Sequence, residues 1–301
     1  MDKNNQIVGH ILALFTSFIW GTTFISTKIL LKEFHPVEIL FIRFVLAICI
    51  LWLMCPKEQK KTTKKHELLF ALAGLTGICL YYLLENTALT YTLAANVGVI
   101  GCISPLFTAI IVYLFYKDRE KISVNFLIGF VLSIAGISFI MFNGLSIHLN
   151  PLGDALAIIA ALTWSVYSVL IKKLTNCGFS TFYITKRTFL YGIVFMIPFL
   201  FFSDCHLGAT RFLNPVNTLN LIFLGCCASA MCFASWSKAI KILGTIKSSA
   251  YIYLIPFITI VSATLILKEP VTTFLILGTV LTLVGLVISE IDKKTNEDNA
   301  K

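Results

Sequence analysis

Ten long apolar runs constrain this chain more than any other feature. They cover residues 7–29, 36–55, 67–89, 93–116, 122–142, 151–172, 181–202, 217–238, 245–267 and 271–290. A helix needs about 20 apolar residues to cross a bilayer, because the hydrocarbon core is roughly 30 Å thick and an α-helix rises about 1.5 Å per residue. Strands of a membrane barrel would instead alternate over about 10 residues, and these runs are continuously apolar. Only 13% of the residues are charged, against about 25% in soluble domains. The expected fold class is an all-α integral membrane protein with ten transmembrane helices. The first run carries Trp20 and Lys28 and has no small-x-small cleavage pattern, so it reads as a helix rather than a cleaved signal.

Lysine and arginine in the connections set the orientation, since they favour the cytoplasmic side. With the N-terminus inside, the inner face receives Lys3, the Lys57, Lys60, Lys61, Lys64 and Lys65 cluster, and Lys117, Arg119 and Lys121. Lys172, Lys173, Lys238, Lys241, Lys247, Lys293, Lys294 and Lys301 join them, leaving Lys28, Lys32, Arg211 and Lys268 outside. Both termini are therefore expected in the cytoplasm, with residues 291–301 a disordered tail. A basic face against anionic lipid accounts for the net charge of +9 without a nucleic-acid partner. The nine cysteines fall mostly inside apolar runs with no C-x-x-C spacing, so they read as small packing residues. Of them, Cys205 is expected outside and Cys177 inside. No metal or cofactor is expected.

The chain also repeats itself. A shift of 144 residues superposes Gly9 on Gly153, Trp20 on Trp164, Lys28 on Lys172 and Arg43 on Arg187. A shift of 151 superposes Ala88 on Ala239 and Pro105 on Pro256. A shift of 149 matches Glu120 with Glu269, Gly129 with Gly278, Ser133 with Thr282 and Gly136 with Gly285. Residues 1–146 and 147–290 are thus read as two copies of a five-helix unit. Five is odd, so the second copy must enter the membrane upside down. Inverted repeats are a recurring plan of secondary transporters, because exchanging the conformations of the two halves turns an outward-open state into an inward-open one.

The stretches "WGTTFISTK", "ALTYTLAANVGVIGCISPLFTAIIVYLFYKDRE" and "GFVLSIAGI" resemble the EamA-type drug/metabolite transporter superfamily. The second half repeats the likeness in "AIKILGTIKSSAYIYLIPFITIVSATLILKEP" and "GTVLTLVGL". The resemblance spans about residues 7–290. It implies a ten-helix carrier, often an exporter of amino acids or related metabolites, with helices 1, 3, 4, 6, 8 and 9 around a central cavity. Two positions depart from the usual pattern: Ser165 stands where the first half has Gly21, and the third helix carries Glu85.

The residues themselves indicate which faces are wet. Thr16, Trp20, Thr23 and Thr27 lie at spacings of four, three and four, which puts them on one stripe of the first helix. The corresponding stripe of the sixth helix is Ala160, Trp164, Tyr167 and Ile171. Thr16, Trp20, Thr23, Thr27, Asn96, Trp164, Tyr167 and Tyr251 are the candidate substrate-binding residues. Pro105 and Pro256 remove backbone donors near mid-helix and are expected to kink it. Arg43 and Arg187 are costly inside a membrane and need partners or water. Arg43 is expected to pair with Glu85, and Arg187 to reach cytoplasmic water beside Lys186. These arginines, Glu85 and the two prolines are the candidate structural or coupling residues.

No G-x-x-x-x-G-K-[ST] loop for an ATP-driven pump occurs, nor any H-E-x-x-H motif, and the five histidines lie at or beyond the ends of the runs. A non-enzymatic secondary transporter of the cell membrane is expected, carrying a small metabolite such as an amino acid and acting in export. Its partners would be that small-molecule substrate and membrane lipid, with a homodimer left open. The alternative is a non-transporting receptor or a lipid scramblase on the same fold.

Overall fold

The computed structural model describes residues 3–54, 62–115, 124–142, 151–203, 208, 210–243 and 250–298. Every regular element among them is helical. Helices α1 (Lys3–Leu30) and α2 (Pro36–Met54) are continuous, as are α5 (Val124–Phe142), α6 (Pro151–Asn176), α7 (Thr181–Phe202) and α10 (Thr273–Asp298). Seven helices of the described residues are long and apolar enough to cross a membrane, and three shorter apolar helices accompany them at Val124–Ile140, Tyr251–Leu267 and Thr273–Ile288.

Four of the apolar runs are not the uniform α-helices their length suggests. Helix α3 (Lys64–Tyr91) contains a π segment at Gly74–Leu80. Helix α4 is split into Ala94–Gly101 and Ser104–Phe115. Helix α8 joins Pro215–Ile222 to Cys232–Leu243 through a π segment at Phe223–Met231. Helix α9 opens as a 3₁₀ turn, Ala250–Leu254, continues as Ile255–Ser262 and ends in a π turn, Ala263–Leu267. The π segments of α3 and α8 start 149 and end 151 residues apart, two of the shifts that align the halves. Each holds a glycine at a crossing: a Cβ on Gly74 would lie 2.7 Å from the Thr188 carbonyl oxygen of α7, and one on Gly225 would lie 3.1 Å from the Arg43 carbonyl oxygen of α2.

The two prolines do not bend continuous helices. Pro105 is the second residue of the Ser104–Phe115 piece and Pro256 the second of Ile255–Ser262, first-turn positions where a missing N–H costs nothing. The last helix runs to Asp298, through residues 291–298 of the polar tail read as disordered. No glycine or proline follows Gly285 to stop it. The expectations for Cys205, Glu120 and the basic residues at 57–61 and 117–121 fall outside the described residues.

Helix α1 packs on α8 and α9, and α6 packs on α3 and α4. Helix α2 lies against α8 and α7, α7 against α3, α4 against α9, and α5 against α10. This neighbour scheme is unchanged when each helix of the first half is exchanged for its counterpart in the second. The α5–α10 contact is close because both backbones are bare there: a Cβ on Gly136 would lie 2.6 Å from the Gly278 carbonyl oxygen, and one on Gly285 would lie 2.5 Å from that of Gly129. Small residues that allow such approach are the main means by which helices associate in lipid. Outward side chains such as Val131, Ile134, Phe139, Val280 and Val284 are exposed and apolar, as a hydrocarbon surround requires.

Candidate functional site

A π turn closes its backbone hydrogen bonds one residue further along than an α turn, so where the two patterns meet some carbonyls lose their usual partners and accept from side chains instead. In α8 the Trp20 indole Nε1 donates to the Ala228 carbonyl at 3.1 Å. The neighbouring Ser229 hydroxyl donates to the Leu224 carbonyl at 2.9 Å and accepts from Arg43 Nε at 2.7 Å. The guanidinium of Arg43 lies 4.5 Å from the centre of the Tyr82 ring, with Nη2 3.5 Å from the Tyr82 hydroxyl. Tyr81, which caps the π segment of α3, donates its hydroxyl to Glu85 at 2.5 Å. Its ring centre is 4.7 Å from that of Tyr82 and 4.8 Å from that of Trp164.

The two repeat-equivalent tryptophans therefore bracket one contiguous group. Trp20 bonds to the residue next to Ser229, and Trp164 rests on the tyrosine that holds Glu85. Trp20 also packs on Phe233 and Trp236, with ring centres 5.9 and 5.3 Å apart. Trp164 also packs on Tyr167 at 4.9 Å. Tyr167 lies over Gly77 in the π segment, where only a missing side chain admits its ring.

The expected contact between Arg43 and Glu85 is not a direct ion pair. The ion pairs among the described residues are Lys28–Glu269, Arg187–Glu67 and Arg211–Glu38. Tyr81 and Tyr82 stand between Arg43 and Glu85 and take their hydrogen bonds. Arg187, expected to reach water, is 21% exposed and also has an ion-pair partner. It meets Glu67 of the first turn of α3 at 2.5 Å, and the Tyr191 hydroxyl donates to the same carboxylate at 2.5 Å. Lys186, rather than accompanying it into water, is buried, with Nζ 5.5 Å from the centre of the Trp52 ring. A partner at the repeat-equivalent position does not exist because Trp236 stands there. Glu67 lies almost five turns earlier on the helix that crosses α7.

The other candidates fall into separate places. Thr23 donates to the Trp20 carbonyl at 2.7 Å within its own helix. Thr16 and Thr27 are buried, and neither the Thr16 nor the Ser17 hydroxyl finds a partner among the described residues. Tyr251 is hydrogen-bonded to His10 at 2.8 Å near the start of α1, remote from Asn96.

Asn96 belongs to a second polar group where α1, α4, α6 and α9 meet. It donates to the Thr92 hydroxyl at 3.1 Å and to Asp154 at 3.3 Å, and Thr92 donates to Asp154 at 2.6 Å. Lys28 Nζ donates to the Thr92 carbonyl at 2.7 Å and to Glu269 at 2.9 Å. Glu269 also accepts from the backbone N–H groups of Ala94 and Ala95, capping the first turn of α4. It reaches them because Lys268 adopts a left-handed conformation, φ 60°, which turns the chain back as α9 ends. The Ser165 departure also has a cause. Its hydroxyl donates to the carbonyl of Ser104, the first residue after the break in α4, at 2.8 Å. On the other half Gly21 fits against Ile255 and Ile258, where a Cβ would lie 2.7 Å from the Ile258 side chain.

Comparison with known proteins follows the same division of the chain. The model of the EamA-like transporter family matches twice, at residues 7–142 and 151–290. Similar proteins include an uncharacterized transporter of Archaeoglobus fulgidus, 29% identical over 93% of this chain and 96% of its own length. One from Clostridium kluyveri is 26% identical over 96% and 95%. The uncharacterized transporter YcxC of Bacillus subtilis is 26% identical over 98% and 97%. A crystal structure titled only as that of a protein superposes with a TM-score of 0.65 at 15% identity, covering 96% of this chain and 98% of that one. That likeness concerns the fold.

Proposed function

The chain belongs to the EamA-like transporter family, and on that premise we propose that it is a secondary transporter of a small metabolite, an amino acid or related compound, working by alternating access in export. It is a multi-pass membrane protein built of two repeats. In this reading the repeats are inverted, both termini lie in the cytoplasm, and the membrane is that of the cell.

The observation that carries the proposal is the buried polar group between Trp20 and Trp164. An apolar bundle has no structural use for an arginine, a glutamate, two tyrosines and a serine at the junction of its halves, since each costs free energy away from water. A solute path does have a use for them. The neighbour scheme supports alternating access, because exchanging the halves leaves every major helix contact in kind, so the bundle has two related packings available to it.

Proteoliposomes loaded with a metabolite extract of the source cells provide the test. A carrier depletes particular compounds from the lumen in a saturable way relative to protein-free vesicles. A receptor leaves the lumen unchanged, and a scramblase moves only labelled lipid.

A further inference from the structure

Resting on that reading, we propose that Arg43 and Glu85 are the two poles of the substrate site, and that the solute is a zwitterion whose carboxylate meets Arg43 and whose ammonium meets Glu85. Arg43 is 2% exposed and Glu85 7% exposed. A charge buried this deeply is costly without an opposite charge, and neither has one within ion-pair distance among the described residues. The other buried glutamates do: Glu38 meets Arg211, and Glu269 meets Lys28.

Depth and geometry put the two poles side by side. Arg43 stands seven residues from the start of α2 and Glu85 six from the end of α3. At about 1.5 Å per residue each lies roughly 10 Å along the axis from its own helix end, and the contacts through Tyr82 and Tyr81 gather the two charged groups into one cluster. Tyr81 and Tyr82 separate them and supply only hydroxyls: Tyr82 to a guanidinium nitrogen and Tyr81 to the carboxylate. Hydroxyl bonds of this kind are exchangeable for stronger charge-assisted ones, which a carboxylate offers to arginine and an ammonium offers to glutamate. Ser229 fixes the guanidinium through Nε, which leaves the outer edge of the fork for a ligand. A solute carrying one charge satisfies one pole and strands the other, so the pair selects for both charges together. Trp20 and Trp164 on either side are the apolar walls for the remainder of the molecule.

The test uses the purified full chain, with ligand-induced melting shifts as the readout. The probes are the twenty standard amino acids, each compared with its decarboxylated amine and its deaminated acid; for leucine these are isopentylamine and 4-methylpentanoate. At least one zwitterion is expected to stabilise the protein, with both single-charge analogues at least tenfold weaker. Glu85→Gln keeps an acceptor for Tyr81 and is expected to fold, and it should weaken the zwitterion at least tenfold while narrowing the gap to the acid analogue. Arg43→Gln should narrow the gap to the amine; if it does not fold, Glu85→Gln and the wild-type series decide. The inference is overturned if a single-charge analogue binds as well as its parent, if none of the zwitterions binds, or if Glu85→Gln binds like wild type. Extract-loaded proteoliposomes separate this failure from failure of the transport reading. Depletion of a compound that is not a zwitterion retains a carrier and removes the charge poles, whereas no depletion removes the carrier itself.

Discussion

Replacing Gly77 by alanine tests whether the π segment of α3 positions the aromatic wall of the site. A Cβ there would fall 2.2 Å from Cδ2 and 2.3 Å from Cγ of Tyr167, where ordinary contact begins at 3.4 Å. The ring must therefore retreat by at least 3.4 − 2.2 = 1.2 Å, or α3 must separate from α6. Tyr167 is buried and bears on Trp164, which in turn bears on Tyr81. Overpacking of this kind costs about 1–3 kcal/mol, and loosening an aromatic contact adds about 0.5–1.5 kcal/mol. Gly77→Ala should thus melt well below wild type in a fluorescence-detected size-exclusion assay. Tyr167→Leu should lower the melting point for a different reason, the loss of ring contacts. The double variant should recover about 0.5–3 kcal/mol relative to the sum, as residues in direct contact do. A Gly77→Ala protein that melts like wild type, or strict additivity in the double variant, would refute the reasoning.

Three further outcomes are expected. In a cysteine-free background, Lys32→Cys and Asn176→Cys are repeat-equivalent and both exposed; an impermeant maleimide on intact cells should label position 32 and spare 176, and equal labelling of both would contradict the inverted arrangement. Lys28→Met leaves the buried Glu269 with the Ala94 and Ala95 amides alone, so a loss of about 1–3 kcal/mol is expected in the melting assay. Lys28→Met combined with Glu269→Gln should cost less than the sum of the two single changes, and strict additivity would show that the pair does not act as a unit. The Arg187–Glu67 pair is partly open to solvent, with side chains 21% and 27% exposed, so Glu67→Gln should cost only about 0–1 kcal/mol; a larger drop than for Lys28→Met would reverse that ranking.

Much of this protein was legible without coordinates. Apolar run length alone set helices as the only economical way to satisfy the backbone in hydrocarbon, and the described helices follow the runs to within a few residues at most ends. The shift of 144 residues already paired Trp20 with Trp164, and both prove to stand beside the same polar group. Gly129, Ser133 and Gly136 stood out in the sequence only as repeat matches of 278, 282 and 285, and the structure brings α5 and α10 together at those positions.

The partners of the charges were not legible, because a one-dimensional pattern identifies which residues need a partner but not which helix supplies it. Arg187 finds Glu67 and Trp20 finds Trp236 only through the crossing of α3 with α7 and of α1 with α8. The π segments were hidden for a related reason: a glycine-rich apolar stretch is equally compatible with an α turn until a neighbouring helix presses on it. Sequence by itself determined the elements, their duplication and the identity of the costly residues, since those follow from hydrophobicity and local backbone chemistry. Tertiary packing decided that Tyr81 and Tyr82 stand between Arg43 and Glu85. That outcome depends on where three helices cross, and a helix carries no record of its neighbours in its own periodicity.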